Sequence, residues 1–113
     1  MNTRIKICCI GSIQEAETAI RSGASAIGLV ARMPSGPGPI PDDLIRRIAA
    51  ATPPPVATFL LTSRTSAGAI IEHHRRTHTN TIQIVDALTE GTYEEIRAAL
   101  PYVKIVQVIH VIS

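Results

Sequence analysis

Two adjacent cysteines, Cys8 and Cys9, lie at the end of the first predicted strand and are the only cysteines in the chain. No CxxC or cysteine–histidine spacing accompanies them, so neither a zinc site nor a dithiol redox motif is indicated. Because neighbouring strand residues point to opposite faces, Cys8 shares a face with Arg4 and Lys6, whereas Cys9 faces the helices. A thiol acts as a base near neutral pH when a positive neighbour or a helix N-terminus stabilises its thiolate, and Lys6 is a candidate for this role. We therefore expect reduced thiols with separate roles, with Cys9 as a packing residue.

The other side chains that are able to do chemistry stand alone in the sequence. Asp86 follows the fourth predicted strand and either faces the same cavity as Cys8, as an acid, or caps the helix near Thr89. His74 and His78 have the spacing of a zinc pair, but no third ligand accompanies them, so we expect surface or boundary histidines. Neither a metal nor a cofactor is predicted.

Segments with the hydrophobic periodicity of a strand alternate along the chain with segments that have the periodicity of a helix. The predicted strands are residues 4–9, 26–30, 56–61, 81–85 and 103–109. The predicted helices begin at a capping box at Ser12, at Pro41 or Asp42, at Ser63 or Thr65, and at a second capping box at Thr92. An alternation of about 25 residues indicates right-handed crossovers and a parallel sheet. The resulting (βα)4β5 pattern fits two folds: the N-terminal half of a TIM (β/α)8 barrel, or an open five-stranded doubly wound sheet.

Composition excludes several classes of function. The net charge of +2 comes from scattered Arg and Lys, with no basic run that would follow a phosphate backbone, so nucleic acid is not an expected partner. No apolar stretch approaches the roughly 20 residues that span a bilayer, so no membrane association is expected. We predict a cytoplasmic protein in which residues 1–113 form a single, partial barrel domain.

The segments "KICCIGSIQEA" and "SGASAIGLV" resemble the phosphoribosylanthranilate isomerase family, whose chains open with Lys-Ile-Cys-Gly-Ile-Thr and continue to Gly-Ala-Asp-Ala-Leu-Gly-Phe. The resemblance extends through "IPDDLIRRIAAATPPPV", "NTIQIV" and "VKIVQVIHV", in order, and covers about half of the family's barrel. It implies an Amadori isomerisation of an aminoaldose to an aminoketose in tryptophan biosynthesis. It places the family's general base at Cys8, and Cys9 stands where the family has glycine.

The sequence departs from the family at several site positions. The loop after the second strand lacks the family's substrate-holding arginine, which leaves Ser35 and Arg32 as candidate substrate-binding residues besides Lys6. In the fourth strand the family's histidine is absent, and Asp86 stands at the end of the strand. Gln107 aligns with the family's fifth-strand lysine. The family's general acid and phosphate loops belong to strands beyond the fifth.

The sequence is compatible with three functional interpretations. The first is an isomerase-like half-barrel that takes a phosphorylated sugar-amine and is inactive alone. The second is a non-catalytic half-barrel that acts as an interaction module, with a missing barrel half or a second copy as its partner. The third is an open flavodoxin-like sheet that resembles a receiver or a nucleotide-binding domain. The segment "TFLLTSRT" disfavours the receiver because no aspartate ends the third strand.

Overall fold

The sheet has five parallel strands whose spatial order follows the sequence. In a computed structural model, which describes residues 4–34 and 38–111, the elements are β1 (Lys6–Ile7), α1 (Ile13–Arg21), β2 (Ala26–Val30), α2 (Asp42–Ala51), β3 (Ala57–Thr62), α3 (Ala67–Thr77), β4 (Thr81–Ile84), α4 (Tyr93–Ala99) and β5 (Lys104–Gln107). The described strands pair in the order β1-β2-β3-β4-β5.

This strand order decides between the two predicted folds. A doubly wound sheet reverses its strand order at a switch point and carries helices on both faces. Here every crossover advances in the same direction, and each helix contacts the next one in sequence. The half-barrel prediction is therefore confirmed, and the doubly wound alternative is wrong.

The helices begin at the capping residues that the sequence indicates, with one correction. Ser12 Oγ accepts a hydrogen bond from the Glu15 amide at 3.1 Å, and Thr92 Oγ1 accepts one from the Glu95 amide at 3.2 Å, so both capping boxes begin helices. α3 begins later than predicted because its N-cap is Ser66. No helix of the described residues is long and apolar enough to cross a membrane.

The first and last strands are shorter than predicted. β1 covers only Lys6–Ile7, and β5 ends at Gln107 rather than at Ile109. At β1 the cause is local, because Cys9 has a φ of 58° and cannot continue an extended strand. Both strands are also edge strands in the described sheet, each with one neighbour.

The hydrophobic core lies between the convex face of the sheet and the helices. β3 shows this most clearly, since Thr58, Leu60 and Thr62 are buried while Ala57, Phe59 and Leu61 on the other face are only half-buried. The convex side contains two clusters, one around Ile27, Leu29, Ile45, Ile48 and Leu60 and the other around Ile70, Ile82, Ile84 and Ile96. The concave face carries no helix.

A buried histidine on α3 makes the fold sensitive to acid. His74 is buried, and is not the surface or boundary residue that was predicted; its Nε2 lies 2.6 Å from the carbonyl oxygen of Thr79, to which it donates. Nδ1 is buried and has no hydrogen-bond partner among the described residues. Burial lowers the pKa of His74 below its ordinary value of 6.5, because a proton on Nδ1 would place a charge where nothing accepts it.

We therefore expect the free energy of unfolding to decrease as the pH falls below 6.5. The unfolded chain protonates at that value while the folded chain resists protonation, so the decrease is at most about 1.4 kcal/mol per pH unit from this residue. Urea denaturation at pH 7.5 and pH 5.5 measures the effect. His74→Gln should reduce the pH dependence, whereas His110→Gln, at an exposed position, should preserve it. Equal pH dependence in the wild type and His74→Gln would contradict the assignment.

Candidate functional site

Cys8 lies at the carboxyl end of β1 on the concave side of the sheet. β1 and β2 pair in the register Lys6↔Ala26, so Cys8 lies beside Gly28, on the face opposite the buried Ile27. A Cβ atom at Gly28 would lie 2.9 Å from the Cys8 Sγ and 3.2 Å from its Cα. Glycine is therefore required for the thiol to lie against the second strand, at the end of the sheet where barrels hold their active sites.

Lys6 lies one step deeper than Cys8 and extends across the concave face. Its ammonium donates a hydrogen bond to Gln83 Oε1 on β4 and lies 4.5 Å from the centroid of the Phe59 ring on β3. In a flat sheet β1 and β4 would be about 14 Å apart, at about 4.8 Å per strand. The contact between Lys6 and Gln83 therefore shows how strongly the sheet curves.

Cys9 does not occupy the helix-facing strand position predicted for it. The residue is exposed, follows the end of β1 and has a left-handed φ of 58°. It lies close to the loop after β2, since a Cβ atom at Gly38 would be 2.9 Å from the Cys9 Cβ. No disulfide joins Cys8 and Cys9. The left-handed backbone explains in physical terms why glycine suits this position.

Asp86 lies in the exposed loop after β4, at the same end of the sheet as Cys8. Thr92 is the N-cap of α4, so the capping role predicted for Asp86 is wrong. Three strand spacings separate β1 from β4, which is about 14 Å along the sheet. Asp86 and Cys8 therefore share a rim but do not lie on neighbouring strands.

The predicted substrate-binding residues are not brought together around Cys8. Arg32 is exposed and lines a separate cleft of about 230 Å³ with Arg64, Asp42 and His73, between the beginning of α2 and α3. Ser35 lies outside the residues that the structure describes. Among the described candidates, only Lys6 shares the concave face with Cys8.

Gln107 faces the helices, away from the concave face. Its Oε1 accepts a hydrogen bond from the Tyr93 hydroxyl at 2.7 Å, and its Nε2 lies 3.2 Å from the Ile84 carbonyl oxygen and 3.1 Å from that of Asp86. The side chain therefore holds β4, β5 and α4 together. At this position it does not replace a lysine that would face a substrate.

Sequence reasoning missed His73, which the structure places in a buried polar chain. Its Nδ1 lies 2.9 Å from Thr62 Oγ1, its Nε2 lies 2.9 Å from Asp42 Oδ1, and Arg76 Nε lies 3.5 Å from Asp42 Oδ2. The order hydroxyl, imidazole, carboxylate is that of a hydrolase triad. Thr62 is 0% exposed, however, so no substrate reaches its hydroxyl, and the chain links β3, α3 and α2 instead. The only sequence signal was the adjacent pair of histidines on a predicted helix.

The fold is similar to that of solved protein structures. The structure is similar to phosphoribosylanthranilate isomerase from Thermotoga maritima, with a TM-score of 0.74 and 23% identity over 94% of this chain and 50% of that chain. The corresponding protein from Pyrococcus furiosus gives a TM-score of 0.78 and 22% identity, with the same coverage of both chains. A third structure, with a TM-score of 0.74 and 23% identity, covers 94% of this chain and 53% of that chain, and is a complex of the isomerase with reduced 1-(o-carboxyphenylamino)-1-deoxyribulose 5-phosphate.

These similarities establish the fold of a half-barrel. The chain spans about half the length of the solved structures it matches. No family model and no curated protein sequence matches it.

The left-handed conformation of Cys9 gives a test of this local geometry. We expect Cys9→Gly to be more stable to unfolding than Cys9→Ala by about 1 kcal/mol, because only glycine adopts a positive φ without strain. Urea denaturation of both variants measures the difference. The matched pair at Cys8 provides the control: there Cys8→Gly should be the less stable variant, by about 0.5–1 kcal/mol. Equal stability of the two Cys9 variants would contradict the left-handed backbone.

Proposed function

We propose that the chain forms the N-terminal half of a phosphoribosylanthranilate isomerase-like barrel and carries its general base, Cys8. The observation that carries the proposal is the position of this thiol, on the concave face at the carboxyl end of β1 and directly against Gly28. The opening motif resembles that of the isomerases, and the fold is that of their first half. Residues 1–113 then act as one partial barrel domain in the cytoplasm.

The proposed reaction is an internal redistribution of protons and electrons. An acid protonates the ring oxygen of the aminoaldose and the ring opens; the Cys8 thiolate then takes the proton from C2. Loss of the enol proton and protonation at C1 give the aminoketose, so no external oxidant or reductant is needed. A substrate of this kind carries a phosphate.

The residues of this chain supply one part of that chemistry. Lys6 contributes a positive charge on the face that carries Cys8, one layer deeper. The family resemblance assigns the acid and the phosphate loops to strands after the fifth, and Asp86 at the β4 rim is the nearest local substitute that we propose for the acid. Without those strands the chain lacks most of the positioning and charge stabilisation that the reaction needs, so we propose that residues 1–113 alone are inactive.

Fusion to a complementary half-barrel tests the proposal. Residues 1–113 are joined in frame to the C-terminal half of the Thermotoga maritima isomerase, and turnover of phosphoribosylanthranilate is measured. We expect turnover by the fusion and none by residues 1–113 alone. Cys8→Ala should lower kcat by about 100-fold or more, since general base catalysis contributes that much. Cys9→Ala is the control and should retain turnover.

Two outcomes would contradict the proposal. Equal rates for the fusion and its Cys8→Ala variant would remove Cys8 from the reaction. A fusion that folds cooperatively, as seen by circular dichroism, but has no activity would favour the alternative of a non-catalytic half-barrel that serves as an interaction module.

A further inference from the structure

The concave face of the sheet carries no helix and combines apolar with polar and cationic side chains. It is formed by alternate residues of β2–β5, and Val106 on β5 is 39% exposed. At the amino ends of the strands the face forms a hollow of about 770 Å³. β1 and β5 each have one neighbouring strand in the described sheet, so two edges also present unpaired backbone groups.

The hollow is positively charged and has no compensating carboxylate. Arg4, Lys6 and Lys104 line it, and among the described residues none of these three cations forms an ion pair. Lys6 has only neutral partners, the Gln83 amide and the Phe59 ring. All nine Asp and Glu residues of the chain lie on helices α1–α4 or in the loop between β4 and α4.

Covering the hollow with an uncharged surface would be unfavourable. Each cation would lose water without gaining a counter-charge. The occupant of this face must therefore supply carboxylates close to Lys6 and Lys104, as well as apolar side chains that fill the rest of the hollow.

A second copy of the chain does not meet these requirements. Two copies would bring ten strands to a barrel that closes with eight, and this chain already supplies five of them. They would also enclose two copies of Arg4, Lys6 and Lys104 with no carboxylate between them. Both the strand number and the charge oppose self-association through this face.

We propose that the concave face binds a three-stranded βα polypeptide segment whose strands carry carboxylates at their inward-facing amino ends, opposite Lys6 and Lys104. The inference rests on the proposed half-barrel function and specifies the chemistry of the partner that completes it. The partner adds one strand beside β5 and one beside β1, and its acidic groups neutralise the base of the hollow, far from the rim that carries Cys8.

Two matched probes test the charge requirement. The first is the C-terminal half of the Thermotoga maritima isomerase with Glu at the first inward-facing position of each of its strands, and the second is the same fragment with Lys at these positions. Each is co-expressed with residues 1–113 as a separate chain, and the Kd of the purified pair is measured. We expect a 1:1 complex with the Glu fragment that is about tenfold tighter, or more, than with the Lys fragment.

Variants of this chain identify the responsible cations. The double variant Lys6→Met, Lys104→Met should lose the preference for the Glu fragment. Arg46→Met removes an exposed cation from α2, on the convex side, and should keep the preference. Equal affinity for the two fragments, binding of neither fragment, or a stable dimer of residues 1–113 alone would each overturn the proposal.

The measurement separates this proposal from the proposed reaction. Selective binding of the Glu fragment without turnover would support the docking chemistry and reject the catalytic role of Cys8. Turnover by the covalent fusion that depends on Cys8, combined with no charge preference between separate chains, would overturn the docking chemistry alone.

Discussion

The structure depends on one constraint: helices cover only the convex face of the sheet. Every crossover advances in the same direction and each helix contacts the next one in sequence, so all four helices lie on one side. On that side the side chains of Ile27, Leu60 and Ile82 are fully buried. The other face is left to side chains alone, and the sheet curves around them. The concave surface and the two open edges all follow from this asymmetry.

The curvature of the sheet also determines how the polar and reactive side chains of the concave face are arranged. Lys6 spans from β1 to Gln83 on β4, which fills the floor of the concave face with a polar contact. Cys8 lies one layer above this contact, where Gly28 leaves room for its thiol. The cationic layer at the base and the thiol at the rim are thus separate features of one face.

The order of the elements could be predicted from periodicity and capping, because these are local properties. β2 has the predicted bounds, and the hydroxyls of Ser12 and Thr92 cap the helices predicted to follow them. The errors arise where distant residues decide. Gln107 is held by Tyr93 on α4, and His73 is buried by partners on two other elements. The left-handed Cys9, which ends β1 early, is the local exception. The placement of Cys8 followed from strand alternation, whereas the separation of Arg32 from it required the three-dimensional structure.

The amide of Gln107 has a consequence for assembly. Its Nε2 lies within 3.2 Å of carbonyl oxygens of Ile84, Asp86 and Val108, so a side chain reinforces the alignment of β5 on β4 in addition to the backbone ladder. In parallel sheets a slip of one residue would exchange the two faces of a strand. The register of β5 on β4 is therefore fixed before another strand pairs with the outer edge of β5. The position of the β5 backbone groups then determines which side chains of the added strand face inward.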